Sequence, residues 1–163
     1  MFVDFVDGAI ARVTGLTVRD ARRSAFEAVS MRDYMIRLHE GAQALHPNVP
    51  IREGLRRMGY SLYDDFERTM IGKAIFSVAG KEITKLASLA QKAYSVSYSP
   101  GSLTARITGE RRIAIIMSPI LVYPDTFQVG AWEGAARFCG KEAMVLIRTP
   151  IREPGYVELE LTF

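Results

Sequence analysis

The sequence predicts an α+β fold in which a helical half is followed by an antiparallel sheet. Apolar residues recur every three or four positions up to about residue 93, which is the period of a half-buried helix. From Tyr94 onward they alternate with polar residues, as in strands that bury one face. One helical segment lies between two predicted hairpins, so the second half has the order β-β-α-β-β. We expect one domain over residues 1–163, with a helical half (1–93) and a sheet half (94–163).

Five helical segments are predicted in the first half. The first ends at Gly15, Thr17 caps the second, and Ser30 caps the third. The two prolines of segment 46–50 interrupt the helices. Helical periodicity resumes at Ile51 and continues to Gly80, a predicted helix end, after which residues 81–93 form the last helix of this half.

The second half begins with Tyr94, Val96 and Tyr98 in alternation with serines, which predicts a strand or an extended entry to one. A turn at 99–102 and another at 109–110 bound a strand over 103–108, and residues 112–117 form its partner. The next segment predicts a helix capped by Asp125, with Gln128 in the capping-box position and Gly140 at the end. Residues 143–148 and 156–162 predict the final hairpin.

Charge and composition exclude several classes of protein. The 21 basic and 18 acidic residues give a net charge of +3, and the arginines are scattered among acids. Nucleic-acid binding, which needs basic charge concentrated on one face, is therefore not expected. Two acids among the first seven residues argue against a secretory signal, and no apolar run is long enough to cross a membrane. With the single cysteine Cys139, these features predict a cytoplasmic protein without disulfides.

Sequence motifs for catalysis and metal binding are absent. The two histidines, His39 and His46, are seven positions apart, and no pair of cysteines exists. The sequence contains neither a nucleophile elbow nor a phosphate-binding glycine loop. Cys139 lies at the predicted C-terminal end of its helix, where the helix dipole disfavours a thiolate. We therefore expect no catalytic residue, no metal site and no cofactor.

The candidate ligand pocket consists of the aromatic residues nearest the predicted junction of helices and sheet, namely Tyr94, Tyr98, Tyr123 and Trp132. Aromatic rings with a polar tip suit a small-molecule pocket, and they suit the margin of an ordinary core equally well. In the same region, Gly130 and Gly134 give one helix a smooth face for close packing, and Glu133 has Arg137 four residues on as a predicted ion-pair partner.

Several framework motifs resemble an uncharacterised paralogous family expanded in myxobacteria, over a region that runs from about Met31 to the end. These motifs are the segments 44–50 (ALHPNVP), 54–59 (GLRRMG), 70–73 (MIGK), 93–101 (AYSVSYSPG), 125–134 (DTFQVGAWEG) and 158–163 (ELELTF). The family is more distantly similar to the haem nitric-oxide-binding domains, to the small-ligand domain of the 4-vinyl reductase type and to subunits of transport-protein particles. This resemblance implies a pocket or tunnel between the helical half and the sheet.

The haem-binding relatives imply two features that this sequence lacks. They carry an axial histidine on the helix before the sheet, and residues 81–93 contain none. They also carry a Tyr-x-Ser-x-Arg motif that grips the haem propionates, and the nearest segment here, 116–120 (IMSPI), keeps only the serine. The sequence therefore predicts this fold without haem.

We expect a non-catalytic, ligand-sensing or protein-interaction module of cytoplasmic signalling that takes a small hydrophobic ligand and a protein partner or a second copy of itself. A structural adaptor or dimerisation domain is the alternative, and an enzyme with an unrecognised site is the third hypothesis.

Overall fold

The computed structural model describes residues 30–68, 72–73, 76–77, 80–97, 101–120, 122–149 and 155–163. The first two predicted helices lie outside these residues. The helices are α1 (Met31–Leu45), α2 (Ile51–Glu67), α3 (Ile83–Ser97) and α4 (Phe127–Phe138). The strands are β1 (Ser102–Gly109), β2 (Arg112–Ile120), β3 (Met144–Ile147) and β4 (Gly155–Thr162). The α+β class and the β-β-α-β-β order are as predicted.

Helix α1 begins and ends where the sequence predicts. The Ser30 hydroxyl accepts a hydrogen bond from the backbone N–H of Asp33 at 3.1 Å, which satisfies one of the free donors of the first turn. The helix ends at Leu45, just before the first of the two prolines, and α2 begins directly after the second. Pro50 is well suited to this place, because a helix start does not need its missing N–H group.

Gly80 has the left-handed backbone predicted for a helix end. Its φ is +64°, and its N–H donates to the carbonyl of Phe76 at 2.9 Å. Glycine adopts this conformation without the steric cost that a side chain would add.

Helix α3 corrects the prediction that Tyr94 and Val96 belong to a strand. Both residues are helical, because α3 continues to Ser97 instead of ending near residue 93. The face that packs on the core carries Ile83, Leu86 and Ala87 and continues through Ala90 to Tyr94 at helical spacing. The alternation of these residues with serines is compatible with the period of a strand as well as with that of a helix. Since it falls in the last turn of α3, the sheet half begins later than residue 94.

The four strands form one antiparallel sheet in the order β1-β2-β4-β3. Ile115 in β2 lies opposite Ala105 of β1 and Leu159 of β4, so these three side chains share a face. That face joins the helices in the main core, where Ile115 and Leu159 are fully buried. The opposite face carries Glu158 and Glu160, as the alternation in β4 predicts.

The edge strand β1 is tied to α3 by a side chain. The amide oxygen of Gln91 accepts a hydrogen bond from the backbone N–H of Ala105 at 3.1 Å. Helix α3 therefore occupies a donor that β2 does not use.

The ends of α4 differ in how well the sequence predicts them. Thr126, and not Asp125, is the N-cap residue, because Asp125 forms an ion pair with Arg52 of α2 at 2.7 Å. The C-terminal end is as predicted: Gly140 has φ +69°, its N–H donates to Arg137 O at 2.8 Å, and Lys141 N–H donates to Ala136 O at 2.9 Å. These two bonds constitute a Schellman motif.

Candidate functional site

Helices α2 and α4 pack with their backbones in direct contact at three glycines. A Cβ atom at Gly130 would lie 2.8 Å from the carbonyl carbon of Arg56, and one at Gly134 would lie 2.8 Å from that of Tyr60. A Cβ atom at Gly59 would lie 2.8 Å from the backbone nitrogen of Ala131. The structure thus confirms the smooth face predicted from Gly130 and Gly134, and it adds Gly59 on the facing helix.

Ion pairs across the same two helices fix their relative position. The guanidinium of Arg56 donates to both oxygens of Glu133, with distances of 2.6 and 3.0 Å, and Arg137 pairs with Asp64. The predicted pair between Glu133 and Arg137 is therefore wrong, because each residue finds a partner on α2. Glu133 is the more enclosed partner of its pair, and a two-bond arginine–carboxylate contact is the strongest of its kind.

The structure places three of the four candidate pocket residues. Trp132 is 3% exposed on α4, in the core. Tyr94 is half-buried on α3, and Tyr123 is half-buried in the segment before α4, both packed against the core. Tyr98 lies outside the described residues. These three aromatic residues come from α3, α4 and the segment before α4, and the common pocket stays a prediction.

Tyr123 organises the segment that enters α4. Its φ is +40°, a left-handed conformation that is uncommon for a residue with a side chain. Its hydroxyl donates to the carbonyl of Met35 in α1 at 3.3 Å, and its own carbonyl accepts from the N–H groups of Thr126 and Gln128, both at 3.2 Å. Burial raises the pKa of the Tyr123 hydroxyl, so it remains a neutral donor at physiological pH.

Thr126 is the functional candidate that the sequence did not reveal. It is 5% exposed, and its hydroxyl has no hydrogen-bond partner. A threonine before a helix is a common cap, but this one forms no side-chain cap bond. The available signal was the sequence Asp125-Thr126, where two cap-forming residues compete for one position.

Cys139 lies beside an aromatic cluster formed by Tyr63, Phe76 and Phe138. The rings of Phe76 and Phe138 are 4.5 Å apart, and the Lys81 ammonium lies 5.0 Å from the centre of the Phe138 ring. Burial raises the pKa of the Cys139 thiol, although Lys81 and Lys141 act in the opposite direction. The direction agrees with the sequence-based expectation of an unreactive thiol, with burial as the larger cause.

The described residues do not fit haem. Helix α3 contains neither a histidine nor a cysteine, and Tyr94 is the one residue in it of a type that serves as an axial ligand. In the segment 116–120, Met117 is fully buried, the carbonyl of Ser118 accepts from the Ser102 hydroxyl, and Ile120 stands where the relatives' motif has arginine. The buried residues of the described chain include no cation that would pair with a propionate.

Comparison with solved structures gives the fold a wider context. The chain is similar to an oxygen-binding H-NOX domain related to soluble guanylate cyclases, with 16% identity and a TM-score of 0.69 over 99% of this chain and 85% of the other. It is similar to a protein solved in a study of haem redox potential and porphyrin distortion, with 17% identity and a TM-score of 0.69 over 99% and 90% of the two chains. An unliganded Fe(II) H-NOX protein from K. algicida has 13% identity and a TM-score of 0.59 over 98% and 85%. At these identities the likeness establishes an H-NOX-like fold.

Sequence comparisons give a family without a known activity. No curated protein matches this chain. A family model described as "Protein of unknown function (DUF2378)" matches residues 4–152. With a match of that extent, the chain belongs to the DUF2378 family.

Proposed function

We propose that this chain, as one domain over residues 1–163, is a non-catalytic sensor that binds a small apolar ligand where its structural relatives bind haem. The observation that carries the proposal is a fold shared over almost the whole chain with an oxygen-binding H-NOX domain, combined with a sheet-facing helix that lacks a histidine. The pocket would lie between the helices and the sheet, with Tyr94, Tyr98, Tyr123 and Trp132 at its margin.

A role in cytoplasmic signalling is part of this proposal. A sensor needs a rigid frame and a site that changes with occupancy, and the packed α2–α4 pair supplies such a frame.

No helix in the described part of the chain is long and apolar enough to cross a membrane. Among the same residues, no three histidine, cysteine or acidic side chains are grouped so as to hold a metal ion.

Native mass spectrometry of the purified full chain, with an absorbance titration by hemin, tests the proposal. We expect a retained compound that leaves the protein on denaturation, and no sharp Soret band when hemin is added. A Soret band that saturates at one equivalent would make this a haem protein. A ligand-free protein whose stability no small apolar compound changes would contradict the sensor function.

A structural adaptor or dimerisation domain is the second candidate, and exposed apolar residues on β3 favour it. Met144 is 55% exposed and Leu146 is 36% exposed, and alternation puts both on the face of β3 that points away from the helices. Exposed apolar side chains on an edge strand are suited to contact another chain. Light scattering tests this candidate: a dimer that Leu146→Glu converts to a monomer would support it, and a monomer at all concentrations would exclude it.

A further inference from the structure

The buried part of the described chain is almost entirely apolar, and Thr126 is the exception. It is the one polar residue in the buried set, and its hydroxyl has neither a protein acceptor nor a donor. A buried hydroxyl without a partner is costly, so native proteins almost always supply one from protein, water or ligand. The position of this hydroxyl therefore marks a place where a further hydrogen-bonding group is required.

Two backbone donors lie on the same turn as the Thr126 hydroxyl. The carbonyl of Tyr123 accepts hydrogen bonds from the N–H groups of Thr126 and Gln128, and the carbonyl of Thr126 accepts one from the N–H group of Gly130. The N–H groups of Phe127 and Val129, in the described part of the structure, have no acceptor, and both residues are buried. The first turn of α4 thus combines one hydroxyl and two N–H groups that need an acceptor.

The nearest carboxylate does not meet this need. Asp125 directs an oxygen to the Arg52 guanidinium at 2.7 Å on the outer side of the helix pair, and it forms no cap bond to the turn. The positive end of the helix dipole therefore remains available to an acceptor from outside the chain. Val122, which precedes the turn, and Phe127, which lies in it, are buried and apolar, so the rest of such a compound would be apolar too.

We propose that the first turn of α4, with the Thr126 hydroxyl and the N–H groups of Phe127 and Val129, binds the carboxylate of a small aliphatic acid. This inference rests on the proposed sensor function and adds the chemical class of the ligand. Tyr123 encloses the site on the side of α1, because its hydroxyl is held by the carbonyl of Met35.

Calorimetric titration of the full chain with octanoate, and with 1-octanol as the uncharged control, tests the inference. Two variants form a matched pair: Thr126→Ser keeps the hydroxyl, and Thr126→Val replaces it with a methyl group of the same shape. We expect Thr126→Val to weaken octanoate binding by roughly tenfold to a hundredfold, the effect of losing a hydrogen bond to a charged group. Thr126→Ser should bind octanoate within about threefold of the wild type, and octanol should bind all three proteins equally weakly.

The thermal midpoint of each protein without octanoate is the second readout, and it shows whether the variants fold. Equal octanoate affinity in the wild type and Thr126→Val would overturn the inference. The same equality with a lower midpoint for Thr126→Val would assign the hydroxyl to a structural water, which also overturns it. If the wild type does not bind octanoate, the inference fails, whereas the sensor function fails only if native mass spectrometry also finds no retained compound and no small apolar compound changes the protein's stability.

Discussion

The two ends of the α2–α4 contact are built differently. Along most of its length, three glycines bring the two backbones together, and arginine–carboxylate pairs bridge them. At the N-terminal end of α4, a left-handed tyrosine shapes the turn and a buried threonine hydroxyl has no partner. In the first region the charged side chains are paired and there is no space for an added atom. In the second region, hydrogen-bond donors lack an acceptor. Close packing and the proposed recognition therefore use different groups of one helix: Phe127 packs its carbonyl against Gly59 and offers its N–H to the proposed ligand.

The largest expected effect on stability is that of Gly59→Ala, which disrupts the close contact between α2 and α4. The new Cβ would meet the backbone of Phe127 and Ala131, and neither group can move without shifting the helix. We expect a loss of about 3 kcal/mol or more in the free energy of unfolding, measured by urea denaturation.

Gly54→Ala is the matched control, because it places the same methyl group on the same helix. Its Cβ would lie 3.2 Å from the carbonyl oxygen of Ala42, a distance that requires a shift of only a few tenths of an ångström. We expect a change of less than about 1 kcal/mol, aided by the higher helix propensity of alanine. Equal losses for the two variants would show that the α2–α4 contact is not uniquely tight.

Thr126→Val should act in the opposite direction in the ligand-free protein. Removing a buried hydroxyl that has no partner, with little change of shape, should raise the free energy of unfolding by about 1 kcal/mol. Differential scanning calorimetry after ligand removal measures this change. A gain in stability for Thr126→Val together with a large loss for Gly59→Ala would establish the contrast between the first turn of α4 and the glycine contact.

Glu133→Gln should cost less than the glycine substitution. It removes the charge that Arg56 contacts twice, and the half-exposed arginine can turn to solvent, so we expect a loss of about 1 kcal/mol. Glu53→Gln, which breaks the exposed pair with Arg57 within α2, is the control and should change stability less than Glu133→Gln does.

The smallest effect concerns the reactivity of Cys139. Because burial raises the pKa of its thiol, iodoacetamide at pH 8 should modify the folded protein at least about tenfold more slowly than the protein in urea. The raised pKa also means that the folded thiol stays protonated to a higher pH than the unfolded thiol. Its contribution to the stability of the fold is therefore complete below the unfolded thiol's pKa and is lost as pH rises through the folded thiol's pKa. Rapid alkylation of the folded protein would contradict the assignment.

Features that depend on a few neighbouring residues were predictable from the sequence. The Ser30 cap, the break at the two prolines and the Gly140 end each follow from local backbone chemistry. The alternation in β4 also predicts that Val157, Leu159 and Leu161 face the core, because a sheet buried on one side enforces a period of two. In β1 the alternation predicts Leu103 correctly, but Ile107 is 67% exposed.

Features that depend on distant partners were not predictable. Glu133 pairs with Arg56, 77 positions away, instead of the arginine one turn along its own helix. Arg52 draws Asp125 away from the cap position, which leaves Thr126 there with an unsatisfied hydroxyl. The extension of α3 through Tyr94 follows from packing on the sheet, where a serine-rich segment fits either period.

The contact between Gln91 and Ala105 bears on which side of the sheet another chain can join. A strand that added beside β1 would need the N–H of Ala105, and that donor is already held by Gln91 of α3. The opposite edge, β3, is only four residues long and carries Met144 and Leu146 outward. Growth of this sheet by strand addition is therefore directed to the β3 side, so Gln91→Ala is a change that would open the other edge to unwanted association.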